Sequence, residues 1–296
     1  MVRRSTTHRL AGAGLAMAGV AAGLLVVVSG RGEATASDRS PHAIIGEARR
    51  ATVTVGIAPA ALVAVSGGGR AAGRPIVVID PGHGGRDPGA VSVSGEIAEK
   101  ELTLALARDL RQRLIARGRV RVALTRDGDS YRSLDQRADV ARGLGASLFV
   151  SLHIDSAPNP LARGASVYSL SDVASDAESA RFAQMQNASA MHGVGDGSVR
   201  SMLSDLALRS QMSASADLAE RLVRKSAARI TLRPEPHRFA AFHVLRRAQA
   251  PAVLFEAGYL SNVDDELLLR SPAYRAALVA GLAETIEADV ASRLRR

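Results

Sequence analysis

From Arg74 onward the chain alternates short apolar runs with stretches of helical periodicity, and this constrains the fold more than any other feature. The runs Pro75–Asp80, Val120–Thr125, Ala146–His153, Ala165–Ser169, Phe242–Arg246 and Ala252–Gly258 have strand length and apolar content. Between them, Leu102, Leu106, Leu110 and Leu114 recur at helical spacing and Gly118 closes the pattern. A second helix is expected from Leu134 through Ala138 and Ala141 to Gly143, and a third around Asp217–Ile230, burying Ala219, Leu222, Val223 and Ile230. The last opens with Ser271 as N-cap and Pro272 at the first helical position, and buries Tyr274, Leu278, Leu282, Ile286 and Val290. Such alternation predicts an α/β domain over residues 74–296, with a single, mostly parallel twisted sheet flanked by helices on both faces.

Residues 172–199 break the alternation and read as a helical insert after the fourth strand. Ser175 and Glu178 have capping-box spacing, and Phe182, Met185, Ser189 and His192 share one helical face before a glycine-rich stretch from Gly193 to Gly197. An excursion there is either a surface ornament or a lid. Residues 37–73 are linker-like; Val53–Val65 has room for one or two strands but not for a core of its own. Residues 1–36 read as an export signal: Arg3, Arg4 and Arg9 precede the uncharged run Leu10–Ser29, and Ala34-Thr35-Ala36 offers small residues for cleavage after Ala36. The same run is long enough for an uncleaved anchor. Arg3-Arg4 also allows a twin-arginine signal, although Ser5-Thr6-Thr7 lacks the usual apolar residues. The expected location is therefore outside the cytoplasm, in the periplasm.

Composition narrows the chemistry. Cysteine is absent, which excludes disulfides and thiolate metal sites. The net charge is +9 and falls to +6 without the first 36 residues. A basic exported protein associates with anionic polymers such as cell wall. Nucleic acid is not expected, because no basic run is interleaved with aromatics.

Three of the apolar runs end in residues that carry chemistry. His83 follows the first in Asp80-Pro81-Gly82-His83-Gly84-Gly85, His153 ends the third, and Glu256 lies in the last. Open α/β sheets gather ligands outside the carboxyl ends of their strands. With Glu99 opening the helix after the His83 loop, the set holds two imidazoles and a carboxylate as ligands, plus a spare carboxylate for proton transfer. That is the inventory of a catalytic Zn²⁺ site with one ion. Glu96 is a rival to Glu99. A structural explanation of Glu256 needs a buried cation beside it, such as Arg126 or Arg247. Asp80 and Asp155 are candidates for orienting the two imidazoles.

Ile76–Ala90, IVVIDPGHGGRDPGA, resembles the first signature of the zinc-dependent N-acetylmuramoyl-L-alanine amidases of the amidase-3 type. Glu99-Lys100, Ser151-Leu152-His153 and Leu254-Phe255-Glu256-Ala257-Gly258-Tyr259 are similar to that family's later motifs, in the same order. The resemblance runs from about Pro75 to the last helix. It implies His83, Glu99 and His153 as zinc ligands, Glu256 as catalytic base, and cleavage of the amide between N-acetylmuramic acid and L-alanine in peptidoglycan. Cell-separation members carry an inserted helical segment that covers the zinc and is displaced by a LytM-domain activator, so the resemblance implies a lid at 172–199. Ser201–Ala207 resembles the stretch that follows that insert. This chain departs from the family in carrying Ile154-Asp155 after Ser-Leu-His, and Gln186-Asn187 where an acidic insert residue is found in relatives. A zinc peptidase acting on stem peptides and an inactive zinc-bound wall-binding protein are the alternatives, and a monomer is expected.

Overall fold

The computed structural model describes residues 63–68, 71–188 and 200–295; the export-signal and linker readings up to residue 62, and Ser189 to Gly197 of the insert, lie outside these residues. Among the described residues, seven strands form one sheet. They are β1 (Val65–Ser66), β2 (Ile76–Pro81), β3 (Arg121–Leu124), β4 (Leu148–Asp155), β5 (Ala165–Leu170), β6 (Leu232–Ala240) and β7 (Ala252–Tyr259). Their order is β1-β3-β2-β4-β7-β5-β6. Strands β3, β2, β4 and β7 run parallel; β5 is antiparallel to β7 and parallel to β6, and β1 is antiparallel to β3.

The helices are α1 (Glu99–Arg117), α2 (Leu134–Gly143), α3 (Ala177–Asn187), α4 (Arg200–Ser226), α5 (His243–Arg247), α6 (Val263–Arg270) and α7 (Pro272–Arg293). Side chains alternate across each strand, so both faces of the buried sheet need cover. One core joins Leu148, Val150 and Leu152 of β4 to the leucines of α1 and the apolar stripe of α7. The other joins Phe149 and Leu254 to Val140 of α2, Phe182 of α3 and Val244 of α5. α1 ends where Gly118 takes the left-handed conformation, φ 65°. Ser133 caps α2 in a full capping box, and Ser271 with Pro272 opens α7.

Several elements differ from expectation. The helix expected around Asp217–Ile230 begins at Arg200 and ends at Ser226, leaving Ile230 beyond it, and α6 has no counterpart among the expected helices. Phe242–Arg246 is not a strand: Phe242 caps the short helix α5, and the sixth strand is Leu232–Ala240. That strand holds Pro234 and Pro236, which an edge strand tolerates because one of its sides needs no ladder donors. The N-cap of α3 is Asp176, which accepts from Ser179 N at 2.8 Å. Ser175 instead bonds Phe239 N of β6 through its hydroxyl.

Candidate metal centre

Strand alternation decides which side chains meet. Phe149, Ser151 and His153 share one face of β4, as do Ile76, Val78 and Asp80 on β2, and Ala252, Leu254 and Glu256 on β7. Asp80 stands beside Ser151, and His153 beside Glu256, in parallel register. All four lie toward the carboxyl ends of adjacent strands, on the face that α2, α3 and α5 cover. His83 arrives from the loop after β2, and Glu99 is the first residue of α1.

One atom each from His83, Glu99 and His153 lies within 4.8 Å of the others. The Glu99 carboxylate is held from both sides: Oε1 accepts from Ile154 N and Oε2 from Ala90 N, at 3.0 and 2.9 Å. Each oxygen also faces an imidazole at 3.0 Å, Oε1 toward His153 Nδ1 and Oε2 toward His83 Nε2. The second contact lacks hydrogen-bond geometry, and among the described residues the buried His83 Nε2 has no partner. Burial pushes the Glu99 carboxyl up, but His153 and His83 outweigh it and hold it well below the carboxylate range. Burial lowers the His153 pKa. It pulls in the same direction on His83, where the Glu99 and Asp87 carboxylates prevail and raise it.

Two glycines shape this cradle. A Cβ on Gly82 would lie 2.4 to 2.7 Å from the His153 ring. A Cβ on Gly89, at φ +68°, would meet Glu99 Oε2 at 2.5 Å and His83 Cδ2 at 2.6 Å. The two imidazoles pack edge to face with centroids 5.0 Å apart. Two nitrogens and a carboxylate, tightly placed around an orphaned imidazole nitrogen, fit a divalent cation with nitrogen and oxygen preference.

The residue supporting His83 is Asp87, which the sequence reading missed. Its Oδ2 lies 2.9 Å from His83 Nδ1, leaving Nε2 directed at the cluster, and its Oδ1 accepts from Gly89 N. The signal was present as an acid four residues after His83. Neither Asp80 nor Asp155 hydrogen-bonds an imidazole. Asp80 takes Thr125, Ser151 and the buried Arg137, whose other nitrogen donates to the His83 carbonyl at 2.8 Å. It therefore braces the backbone of the His83 loop. Asp155 Oδ1 accepts from Ser156 N, and burial pushes its carboxyl up to about 6.

Glu256 is fully buried, and among the described residues neither oxygen has a hydrogen-bond partner. Burial, followed by the charges of Asp155 and Glu99, raises it well above the carboxylate range. The proposed cation partners are engaged elsewhere: Arg126 donates to Pro81, Gly82 and Lys100 carbonyls, and Arg247 lies by Asp135. Glu96 is 62% exposed along its side chain and pairs with Arg270, away from the imidazoles.

A cavity of about 530 Å³ opens onto His83, Glu99 and His153. Its far wall is the end of α3, with Met185, Gln186 and Asn187. Asn187 ties that end down by donating to the Ala241 carbonyl and accepting from His243 N, both at 2.8 Å. At the start of α3, Arg238 bonds Ser179 and pairs with Asp176 and Glu178, and Arg233 bridges Glu178 to the Tyr259 hydroxyl. In between, Phe182 packs with Tyr168 and Phe242 at centroid distances of 5.3 and 5.5 Å. Met185 is 65% exposed and adds little to this hold, contrary to its expected place beside Phe182.

Fold and site together define an α/β protein with a His–Glu–His cluster at the carboxyl edge of its sheet. The family model for N-acetylmuramoyl-L-alanine amidase matches residues 77–288. The chain is 33% identical to N-acetylmuramoyl-L-alanine amidase AmiA of Escherichia coli K12 over 73% of its own length and 76% of that protein's. It is 34% identical to N-acetylmuramoyl-L-alanine amidase AmiC of Neisseria meningitidis over 75% of its length, but spans only 54% of that relative. Among solved structures, N-acetylmuramoyl-L-alanine amidase AmiC2 of Nostoc punctiforme matches with TM-score 0.55 and 27% identity, over 75% of this chain and 98% of that one. The chain belongs to the N-acetylmuramoyl-L-alanine amidase family.

Proposed function

We propose that this protein is a zinc-dependent amidase that cleaves the bond between N-acetylmuramic acid and L-alanine in peptidoglycan, outside the cytoplasm, during wall remodelling and daughter-cell separation. The observation that carries the reading is the His83–Glu99–His153 cluster opening into a cavity, with unpartnered Glu256 level with His153 on the next strand. His83 through Nε2, His153 through Nδ1 and Glu99 through its carboxylate would hold the ion. Zinc, when bound, supplies a Lewis acid for the scissile carbonyl and for the attacking water.

The protein's own groups do the remaining work. Asp87 keeps the His83 proton on Nδ1, and the Asp80–Arg137 pair holds the loop that carries this imidazole. Glu256 takes a proton from the attacking water and returns it to the departing alanine nitrogen. The group holds that proton only between the two transfers and must be ionised to begin the cycle, a state that a nearby dication favours. Residues 172–199 act as a restraint: α3 walls the cavity and is pinned at both ends. A partner such as a LytM-domain protein that binds only the open form would shift it by its differential affinity for the two states.

Mass spectrometry of digested peptidoglycan tests the reading. The expected products are glycan strands lacking peptide and stem peptides with a free alanine amine, formed with zinc and not with chelator. Cuts within the stem peptide would establish a peptidase instead. Glu99→Ala should lose zinc, while Glu96→Ala should retain it.

A further inference from the structure

We infer that Arg132 forms an anion subsite in this cavity that recognises a free carboxylate of the stem peptide. The inference rests on the amidase reading for the identity of the peptide, and on the cavity itself for the residue.

Arg132 lies in the segment between β3 and α2 and lines the same cavity as His83, Glu99 and His153. It is half-buried, and its Nε is enclosed without a hydrogen-bond partner. A buried donor left unbonded is costly, and a guanidinium presents its donors in a fork matched to carboxylate. Among the described residues, no side chain or carbonyl oxygen accepts from this guanidinium.

The charged groups around it are already committed. Asp80 is taken by Arg137, Asp87 by His83 and Gly89, Glu99 by two backbone amides between the imidazoles, and Asp155 by the backbone of Ser156. Arg137 is consumed as well, donating to Asp80, to the Pro81 and His83 carbonyls, and through Nε to the Arg132 carbonyl at 3.0 Å. One guanidinium thus grips both the His83 backbone and the Arg132 backbone. This fixes the backbone at Arg132, whose side chain lines the cavity that opens onto the metal cluster.

A substrate whose scissile carbonyl lies at the cluster carries its first free carboxylate one residue beyond L-alanine, within about 7 Å of chain. A second candidate carboxylate belongs to the third residue. Both present the chemistry that a planar, permanently charged fork binds better than a point charge.

The test compares wild type and Arg132→Ala, zinc-loaded, on muramoyl peptides with free or amidated carboxylates at the second or third residue. Wild type should prefer the free acid at one position by about tenfold to a hundredfold in kcat/KM, mostly through KM. In Arg132→Ala that preference should fall to threefold or less, and Arg132→Lys should be intermediate. The position at which amidation matters locates the subsite. In parallel, calorimetry on Glu256→Gln protein should show tighter binding of the uncleaved acid than of the amide, a difference that Arg132→Ala removes. Equal binding of acid and amide by Glu256→Gln protein that retains Arg132, or an undiminished preference once Arg132→Ala is added, overturns the inference. Failure of both wild type and the protein with residues 172–199 replaced by a Gly-Ser loop to cleave any of these substrates refutes the amidase reading, and the binding result still decides Arg132.

Discussion

Replacing Glu256 by Gln should inactivate the protein and, at neutral pH, relieve a stability penalty carried by the folded, metal-free chain. The carboxyl is fully buried with no partner at either oxygen, and its pKa lies well above 4.5, first through burial and then through the Asp155 and Glu99 charges. In the unfolded chain it titrates at about 4.3. Between those two values the folded protein holds a proton that the unfolded protein releases. The contribution to stability is complete below the unfolded pKa and declines as pH rises, by at most about 1.4 kcal/mol per pH unit, until the folded pKa is passed. Gln does not titrate. The stability difference, variant minus wild type, should therefore widen with pH from about 4.3 with that limiting slope. Urea unfolding of both chelator-treated proteins at pH 5, 6, 7 and 8 measures it, because titrations of groups that do not interact with Glu256 cancel in the difference, leaving Asp155 as the neighbour whose own titration also enters. Turnover of the zinc-loaded variant should fall about a hundredfold to ten-thousandfold with zinc content unchanged. Zinc loading should flatten the slope, since a nearby dication favours the carboxylate. Parallel pH dependences in metal-free wild type and variant would mean that Glu256 is not held protonated, and substantial remaining turnover would remove it as the base.

Three further outcomes follow from the same geometry. Gly82→Ala places a methyl 2.4 Å from the His153 ring and should cost about 1–3 kcal/mol in unfolding free energy together with zinc retention, whereas Gly128→Ala, with nothing within 4 Å, should leave both unchanged. Asp87→Asn removes the carboxylate behind His83 and should weaken zinc about tenfold to a hundredfold in a chelator competition; unchanged affinity would show that His83 needs no such support. Replacing residues 172–199 by a short Gly-Ser loop should raise basal hydrolysis of intact wall several-fold and abolish any response to a LytM-type activator. The milder Asn187→Ala, which unpins only the end of α3, should move basal activity in the same direction, and unchanged rates in both folded proteins would make the segment an ornament.

Some of this molecule could be read directly from residue order. The apolar runs of β2, β4 and β7 and the leucine spacing of α1 depend on local pattern, so the parallel sheet and its helical cover were legible. His83, Glu99 and His153 were legible because their positions at element ends are properties of the chain itself, and strand ends of such a sheet converge. β6 was hidden: Pro234 and Pro236 and its partly exposed pattern belong to an edge, and edge position is set by strand order. Pairing was hidden too. Asp80 had the right type and place to orient an imidazole, yet Arg137, fifty-seven positions away, claims it, while Asp87 takes that role on His83. Glu256 could be recognised as a carboxylate in an apolar run, but that no cation reaches it depends on where Arg126 and Arg247 fold. Residue order sets which groups arrive at the sheet edge; only tertiary packing assigns a buried charge its partner or leaves it without one, because that choice is made among side chains brought together from distant parts of the chain.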